Sequence, residues 1–258
     1  MKNKKPQQLV QSLDRAIDVI EKLVESNKSM GVTELSDSLG LHKSTVYRLL
    51  ATLGYRGYVE QDDYNQYKVG LKLFEIGGLV LNSLDLREQI KPYLKRLREE
   101  TRETVHLGIM DETEVVYIDK EETSETIRMY SRIGRRVPAH CTSLGKVILA
   151  YSKPDLINKV VKNGLTGCTD KTIIGENQFR KHIKEVFEQG YAIDDEEHRV
   201  GIRCISGPIF NFNQDVIASF SISAPINRMT HERIDELAEV VHRYTKQISA
   251  AFGYKQKE

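Results

Sequence analysis

Residues 42–48 bring together cationic, hydroxyl and aromatic side chains, the groups that proteins use to contact the phosphates and base edges of DNA. The candidate DNA-binding residues are His42, Lys43, Ser44, Thr45, Tyr47 and Arg48. No acidic residue occurs between Asp37 and Glu60. The segment therefore forms a local positive surface, which neutralisation of phosphate charge requires. The alternative interpretation is an ordinary helical hairpin whose lysine and arginine are only solvated.

Three further clusters could bind a small polar ligand. The first, residues 140–146, is a polar turn that opens onto a helix, whose first amide N–H groups favour an anionic group. The second runs from 190 to 198 and on to Cys204, and it offers carboxylates and a thiol. The third is Ser221 with Ser223, whose alternation places both hydroxyls on one face of a strand. Together the clusters supply the polar groups that fix a ligand in a pocket.

Cysteine and histidine in these clusters leave two other chemistries open. Cys141 or Cys204 could act as a nucleophile. His140 or His198 would then be its base. However, His140 and Cys141 are neighbours whose side chains would point apart on a strand, and no cysteine–histidine spacing here is diagnostic of such a pair. A zinc site from both cysteines, His198 and Asp194 is chemically possible, because thiolate, imidazole and carboxylate suit zinc, yet its spacing is not diagnostic either. The sequence therefore predicts no catalytic residue, no metal site and no cofactor.

The chain has three cysteines, Cys141, Cys168 and Cys204. Three cannot all pair within one chain, and none lies in a Cys-x-x-Cys pair. Structural disulfides and a zinc ribbon are therefore not expected.

A basic run could hold a carboxylate. Its four arginines are Arg128, Arg132, Arg135 and Arg136. A guanidinium group binds a carboxylate through two parallel hydrogen bonds. A solvated loop or a contact between subunits explains the run equally well.

The overall charge limits what the protein can bind. The chain has 258 residues, 29% of them charged, and a formal net charge of +1. It is long enough for two domains and is not a nonspecific polycation, so contact with nucleic acid must come from a local surface. No apolar run approaches the roughly eighteen residues that indicate a membrane span, and no signal-peptide pattern occurs. We expect a cytoplasmic protein without a membrane partner.

The elements that position residues 42–48 follow a winged helix-turn-helix pattern. Two short helical patterns meet at Gly40, which suits a tight left-handed corner. Strand-like runs at 57–61 and 66–70 predict a hairpin directly afterwards. A preceding helix would close the core with an apolar stripe of Leu13, Ala16, Ile17, Ile20, Leu23 and Val24. We predict a DNA-binding domain over residues 1–70.

Residues 71–85 are too apolar for a free linker and predict a connecting helix. Gly77 and Gly78 weaken the helical pattern of this segment. A following helix opens the second domain at about residue 86, with Pro92 in its first turn, where proline is tolerated.

The rest of the chain, residues 86–258, alternates strand pairs with helices. Hairpins are predicted from the runs at 106–110 with 115–119 and at 202–212 with 216–223, and a further strand at 127–130. Helices are predicted at 144–151, at 154–164, before Gly190, and after a Thr230 cap with the stripe Ile234, Leu237, Val241, Tyr244 and Ile248. This arrangement predicts an antiparallel sheet with helices packed on it, an α+β fold.

One segment of this second region resembles a family signature. The pattern Gly190-x3-Asp194-x2-Glu197-x6-Cys204-Ile205-Ser206-x2-Ile209-Phe210-Asn211 is similar to that of the IclR family of bacterial transcription regulators. Residues 44–50 resemble the recognition helix of that family, and residues 140–146 resemble its sensor-domain loop. The resemblance spans the chain, which is identified as a member of the family.

The resemblance implies an N-terminal winged helix, a linker helix and a GAF-like sensor domain. It also implies homodimers, commonly paired into homotetramers, that bind operator DNA and respond to small organic acids. By motif position, the effector contacts would be Ser143, Leu144, Asp194, Cys204, Ser221 and Ser223, the first two through loop amides. Some relatives have small residues where this chain has Ser143 and Leu144, which changes the pocket shape that the family leads us to expect.

Within the family, residues 127–136 are similar to regulators of pectin and hexuronate catabolism that respond to 2-keto-3-deoxygluconate. Residues 201–205 and 248–254 are similar to the same regulators. The resemblance therefore implies a sugar-derived 2-keto acid as effector, and we predict that this effector releases the protein from DNA, which makes it a repressor. An activator stays open, because the same fold serves activators and repressors. A regulator that senses an aromatic or glyoxylate-like acid is a second open alternative. A thiol- or metal-dependent enzyme is the remote alternative.

Overall fold

The computed structural model describes residues 9–83, 85–123, 125 and 131–255. The described residues up to Ser83 form one compact unit, called here the N-terminal unit, and those from Asp85 onward form a second, the C-terminal unit. Within the described ranges, no helix is both long enough and apolar enough to cross a membrane.

The N-terminal unit is a winged helix-turn-helix, as predicted. Its elements are α1 (Gln11–Ser26), α2 (Val32–Leu39), α3 (Lys43–Tyr55), β1 (Val59–Gln61), β2 (Tyr67–Val69) and α4 (Leu71–Ser83). The two strands pair antiparallel, with Val59 opposite Val69, and form the wing. The backbone of α4 continues through Gly77 and Gly78, so the connecting segment is helical despite its two glycines.

The turn between α2 and α3 fixes the angle of the second helix. Gly40 has a φ of 63°, in the left-handed region that favours glycine. The amide of Leu41 then donates to the carbonyl oxygen of Ser36 at 3.1 Å. The Ser36 hydroxyl donates to the carbonyl oxygen of Leu41 at 2.6 Å. These bonds satisfy the end of α2 and direct the chain into α3.

The apolar stripe predicted for α1 is only partly correct. Val19 and Leu23 are buried in the core of this unit, and Ala16 and Ile20 pack against it. Leu13 and Ile17 are 61% and 47% exposed, and Val24 is exposed as well. The helix carries two apolar stripes roughly a quarter of a turn apart, and periodicity alone does not distinguish which of them meets α2 and α3.

The C-terminal unit is an α+β domain built on one antiparallel sheet. Its elements are α5 (Asp85–Thr101), β3 (Thr104–Asp111), β4 (Glu114–Glu121), β5 (Arg136–Pro138), α6 (Ser143–Ala150), α7 (Pro154–Asn163), α8 (Glu176–Gln189), β6 (Ala192–Asp195), β7 (Ile202–Phe210), β8 (Val216–Pro225) and α9 (His231–Ala251). The strand order is β5-β4-β3-β8-β7-β6, with every neighbouring pair antiparallel.

Two details of this unit differ from the sequence prediction. Pro92 lies inside α5, not in its first turn, because the helix begins earlier than the apolar pattern indicates. The proline is exposed, so the carbonyl that it leaves without an intrahelical donor can bond to water. Strands β5 and β6 were not predicted because runs of three and four residues carry too little periodicity. The strand predicted at 127–130 lies outside the described residues.

Strand alternation gives the sheet two chemically different faces. Val105, Ile205 and Ile222 are aligned across β3, β7 and β8, and they belong to the buried cluster that includes α5 and α9. Residues one position along point to the other face, where α6 packs. That second face carries polar side chains, and it is where the candidate ligand residues lie.

The Thr230 cap of α9 accepts a hydrogen bond from the Arg233 amide at 3.3 Å, and the predicted stripe of α9 is buried.

Candidate functional sites

The start of α3 presents the predicted DNA-binding residues on one contiguous surface. His42 occupies the N-cap position and Lys43 is the first helical residue. Of the six, Thr45 is half-buried and the other five are exposed. Val46 and Leu50 are fully buried on the opposite side and fix the helix to the core. No acidic residue lies in the first turn, so the partial positive charge of the helix N-terminus is not neutralised.

Lys43 and Arg48 on α3 differ from three lysines elsewhere in the N-terminal unit, which have carboxylate partners. Lys28, Lys68 and Lys72 pair with glutamates at 3.1, 3.4 and 2.8 Å. Lys43 and Arg48 make no ion pair with any residue in the described part of the chain. Their charge is therefore available to an external anion such as a DNA phosphate.

In the C-terminal unit, all six predicted effector contacts line a single cavity. The lining residues are Tyr117, Thr142, Ser143, Leu144, Asp194, His198, Arg199, Ile202, Cys204, Ser221 and Ser223. The empty space totals about 300 Å³ with solvent at the mouth included, at the lower end of ligand sites, but the centre admits little more than one water molecule. A ligand larger than water therefore requires side chains or the turn before α6 to move.

Strand register brings the sheet residues of the cavity together. Asp194 on β6 lies opposite Cys204 on β7, which lies opposite Ser223 on β8. Paired residues of an antiparallel sheet share a face, so the three side chains form a row. Ser221 is two residues from Ser223 and therefore extends the same face. All four residues are buried.

The N-terminus of α6 forms the other wall. Thr142 caps the helix by accepting a hydrogen bond from the Gly145 amide at 3.3 Å. Ser143 and Leu144 are the first two helical residues, and amides at these positions have no acceptor within the helix. The helix start is held against the sheet, because the Ser206 hydroxyl donates to Ser143 Oγ at 2.7 Å.

Close packing in the first turn of α6 depends on glycine. A β-carbon on Gly145 would lie 2.2 Å from the carbonyl oxygen of Ala139. The Ser219 hydroxyl donates to the carbonyl oxygen of Leu144 at 3.1 Å and gives α6 a second attachment to the sheet. The wall formed by α6 is therefore placed by contacts that a larger residue at 145 would break.

Burial controls the charge of the cavity. It raises the pKa of the Asp194 carboxyl to about 7, although the nearby Lys146 ammonium lowers this pKa. The amides of Glu197 and His198 donate to Asp194 Oδ1 at 2.8 and 3.2 Å and also favour the ionised form. Lys146 is fully buried and forms an ion pair with Glu197. The carboxyl of Asp194 is therefore poised to titrate near neutral pH.

A buried histidine organises the two serines, and the sequence interpretation missed it. His106 hydrogen-bonds through Nε2 to Ser131 Oγ at 2.7 Å and lies 3.3 Å through Nδ1 from both Ser221 Oγ and Ser223 Oγ. Burial lowers the pKa of His106 to about 4, so the imidazole is neutral at pH 7. A neutral imidazole has one donor and one acceptor, so it helps to orient the hydroxyls. The alternation of Thr104 and His106 along one strand was the available signal.

One arginine that lines the cavity was not predicted as a ligand. Arg199 is part of the lining. Burial lowers the pKa of the neighbouring His198 to about 4, and the charges of Arg199 and Arg135 lower it further. Of the predicted basic run, Arg136 instead pairs with Asp111 and with Glu114, and Arg128 lies outside the described residues.

The thiol geometry does not suit a nucleophile. Burial raises the pKa of both Cys141 and Cys204, so neither is a thiolate near neutral pH. His140, proposed as a base, instead bonds through Nε2 to the carbonyl oxygen of Thr166 at 2.9 Å. In the described ranges, no three histidine, cysteine or acidic side chains are grouped as a metal site would require.

A winged helix-turn-helix that presents exposed cations at the start of α3 is typical of a DNA-binding transcription regulator, and here the same chain also contains an α+β unit with a cavity. Comparison with known families identifies which one. Residues 12–63 match the IclR helix-turn-helix domain, and residues 78–250 match the C-terminal domain of the bacterial transcriptional regulator IclR. The protein belongs to the IclR family.

Individual relatives agree with this assignment. The chain is 38% identical over 247 residues to the HTH-type transcriptional regulator KdgR of Escherichia coli K12, covering 95% of this chain and 94% of the relative. It is 36% identical to XynR of the same organism, covering 95% and 98%. The crystal structure of Thermotoga maritima IclR is similar, with 31% identity, a TM-score of 0.81 and coverage of 95% and 100%. These relatives are transcription regulators, so the protein is a regulator and not the enzyme kept as a remote alternative.

Proposed function

We propose that the protein represses transcription from an operator and releases it on binding a sugar-derived 2-keto acid such as 2-keto-3-deoxygluconate. The observation that carries the proposal is the enclosed cavity in which α6 amides, an aspartate and two serines converge. The resemblance to regulators of pectin and hexuronate catabolism supports the same ligand class. Residues 1–70 bind DNA, 71–85 link, and 86–258 sense the effector.

The ligand carboxylate is held at the N-terminus of α6. The amides of Ser143 and Leu144 supply donors there, and the helix end favours negative charge. Arg199 adds a full positive charge to the lining. The hydroxyls of the ligand are recognised by Asp194, Ser221 and Ser223, which offer both donors and acceptors, and Cys204 packs beside them.

The small size of the cavity supplies a reason for the ligand to change the protein. A six-carbon keto acid does not fit without movement of its walls, so it binds an altered arrangement more tightly than the one described. A ligand shifts an equilibrium only through such a difference in affinity. We expect the first residues of α6 to move together with the turn before it, because Thr142, Ser143 and Leu144 all line the cavity.

DNA binding uses the start of α3 in a homodimer, and two such dimers can pair into a homotetramer. Two recognition helices enter successive major grooves of a near-palindromic operator. Lys43 and Arg48 contact phosphates or base edges, and the remaining contacts come from His42, Ser44, Thr45 and Tyr47. The protein acts in the cytoplasm, without a membrane partner.

One observation favours a second ligand class. The ring of Tyr117 lines the cavity, and it stacks on His106 with ring centroids 4.9 Å apart. Aromatic rings favour stacking with another ring, so an aromatic acid is the alternative effector. The two hydroxyls and the aspartate around it favour a polyol.

The test is thermal unfolding with a panel of acids. Saturation at a hundred times the dissociation constant stabilises a protein by about 2.7 kcal/mol, which is roughly 5–10 °C for a domain of this size. We expect this shift with 2-keto-3-deoxygluconate and not with 4-hydroxybenzoate. The shift should be lost in Ser221→Ala and kept in the matched Ser152→Ala, which lies outside the lining. A shift with the aromatic acid alone would overturn the proposed ligand class.

A further inference from the structure

The loop between α7 and α8, residues 164–175, is fastened to two turns that adjoin the cavity. His140, in the turn before α6, bonds to the carbonyl oxygen of Thr166 at 2.9 Å. On the other side, the hydroxyls of Thr169 and Thr172 donate at 2.7 Å to the carbonyl oxygens of Glu196 and Glu197. The loop therefore connects the turn before α6 to the turn after β6.

Two thiols meet where this loop touches the turn before α6. The Sγ atoms of Cys141 and Cys168 are 3.4 Å apart, about 1.4 Å more than a disulfide bond of ~2.04 Å. Cys141 is fully buried, whereas Cys168 is exposed. Neither thiol lines the cavity, so the proposed function makes no use of them.

We propose that Cys141 and Cys168 form a reversible disulfide when the protein meets a hydroperoxide, and that this bond fastens the loop to the turn before α6. The exposed Cys168 is the thiol that the oxidant reaches, and the buried Cys141 is the partner that resolves the intermediate. The third cysteine, Cys204, is buried in the cavity and takes no part.

The reaction is a two-electron oxidation of the thiol pair. The Cys168 thiolate attacks an oxygen of the hydroperoxide, the O–O bond breaks, and Cys168 becomes a sulfenic acid while an alcohol, or water from hydrogen peroxide, leaves. The Cys141 sulfur then attacks the sulfenic sulfur and the S–O bond breaks. The departing hydroxide takes the Cys141 proton as water. In total, two thiols and one hydroperoxide give one disulfide, one alcohol and one water.

Burial supports this division of roles. It raises the pKa of the Cys141 thiol, as does the neighbouring Cys168, so Cys141 is a poor first target for an oxidant. It is nevertheless in contact with the sulfur that reacts first. A thiol pair of one exposed and one adjacent buried cysteine is the arrangement expected of a redox-sensitive site.

The bond would restrain the turn that forms the cavity wall. Thr142, Ser143 and Leu144 follow Cys141 directly, and all three line the cavity. An effect on effector entry rests on the proposed function, in which this turn moves. The formation of the bond and the restraint of the turn do not, and both are measured without a ligand.

The experiment treats the full-length protein with hydrogen peroxide, alkylates the remaining thiols after unfolding, and maps peptides by mass spectrometry without reduction. We expect Cys141 and Cys168 in one cross-linked pair, Cys204 alkylated, and reversal by dithiothreitol. Cys168→Ser, at the exposed position, should give no cross-link, and Cys204→Ser should keep it. Over-oxidised Cys168 with Cys141 still open to alkylation would overturn the proposal, as would a disulfide between two chains.

Two further readouts test whether the bond fastens the turn. The cross-link should raise the midpoint of thermal unfolding of the peroxide-treated protein by roughly 5–10 °C. Amide hydrogen exchange over residues 139–146 should slow in the oxidised protein. Peroxide-treated Cys168→Ser should show neither change. A cross-linked protein whose 139–146 amides exchange at the reduced rate would contradict the restraint.

Discussion

The two candidate sites use charge in opposite ways. On α3, Lys43 and Arg48 are exposed and have no carboxylate partner among the described residues. Beside the cavity, Lys146 is fully buried and paired with Glu197, and burial keeps the lining residue Asp194 partly protonated near neutral pH. The exposed site is therefore suited to a partner of high charge density, and the buried site to a small ligand recognised by shape and hydrogen bonds.

This difference has consequences that separate the sites experimentally. Contacts between exposed cations and phosphates weaken steeply with salt, because they depend on counterion release. Interactions inside a buried site are screened much less by salt, but they depend on the protonation of their members. We therefore expect the affinity for DNA to depend mainly on ionic strength. The contribution of the cavity residues to the free energy of unfolding should depend mainly on pH.

The largest expected difference comes from replacing lysine with methionine in two separate variants, one beside the cavity and one on α3. Lys146→Met leaves the Glu197 carboxylate buried without its partner, which should lower the free energy of unfolding by about 3–5 kcal/mol. Lys43→Met is exposed and should change this free energy by less than about 0.5 kcal/mol. Urea unfolding of both variants measures the difference. Adding Glu197→Gln to Lys146→Met should restore part of the loss, and equal effects at the two lysines would show that the sites do not differ as described.

A second substitution tests the exposed site alone. Arg48→Ala should weaken operator binding by about 10- to 100-fold and lower the slope of log affinity against log salt by about one for each phosphate that the arginine neutralises. Fluorescence anisotropy with a duplex selected from random DNA measures both. The matched control is Lys28→Ala, whose lysine pairs with Glu34 in the same unit and should have a small effect. Unchanged binding in Arg48→Ala would mean that α3 is not the recognition helix.

The pH dependence of the cavity should give an effect that is small within any one pH unit and accumulates over several. The pKa of Asp194 is raised to about 7 in the folded protein, so its contribution to stability is present below pH 4 and is lost as the pH rises through 7. Asp194→Asn stays uncharged and should gain stability relative to the wild type across this window, by at most about 1.4 kcal/mol per pH unit. Urea unfolding at a series of pH values measures the gain. The exposed Asp215→Asn should show no such trend, and a parallel pH profile for Asp194→Asn would contradict the raised pKa.

The two sites also differ in how far sequence predicts them. The residues predicted to bind DNA are close together in the sequence and lie at the start of one helix, so a local pattern and one glycine turn were enough to place them together. The cavity residues come from separate elements, and the resemblance to a family, not their spacing, selected Asp194, Cys204 and the serines. His106, Tyr117 and Arg199 were missed, because their position depends on strand register and on a turn that local patterns do not determine.

The errors in the fold have the same origin. On α1 the apolar periodicity was correct, but only contact with α2 and α3 decides which of two adjacent stripes is buried, so Leu13 and Ile17 were wrongly placed in the core. Alternation along β8 correctly placed Ser221 and Ser223 on one face, and the buried stripe of α9 followed from its spacing. Here, apolar periodicity within one helix or strand predicted its faces correctly, whereas it did not predict which face packs against a neighbouring element.

The most direct test of coupling between the two sites is to titrate 2-keto-3-deoxygluconate into the complex of the protein with its selected operator and follow dissociation by fluorescence anisotropy. We expect saturating ligand to weaken operator binding by about 5- to 150-fold, the usual range for coupling between two sites. Thermal unfolding on the same sample establishes that the ligand is bound. Operator affinity that is unchanged or raised while the ligand occupies the cavity would contradict the claim that this cavity controls release from DNA.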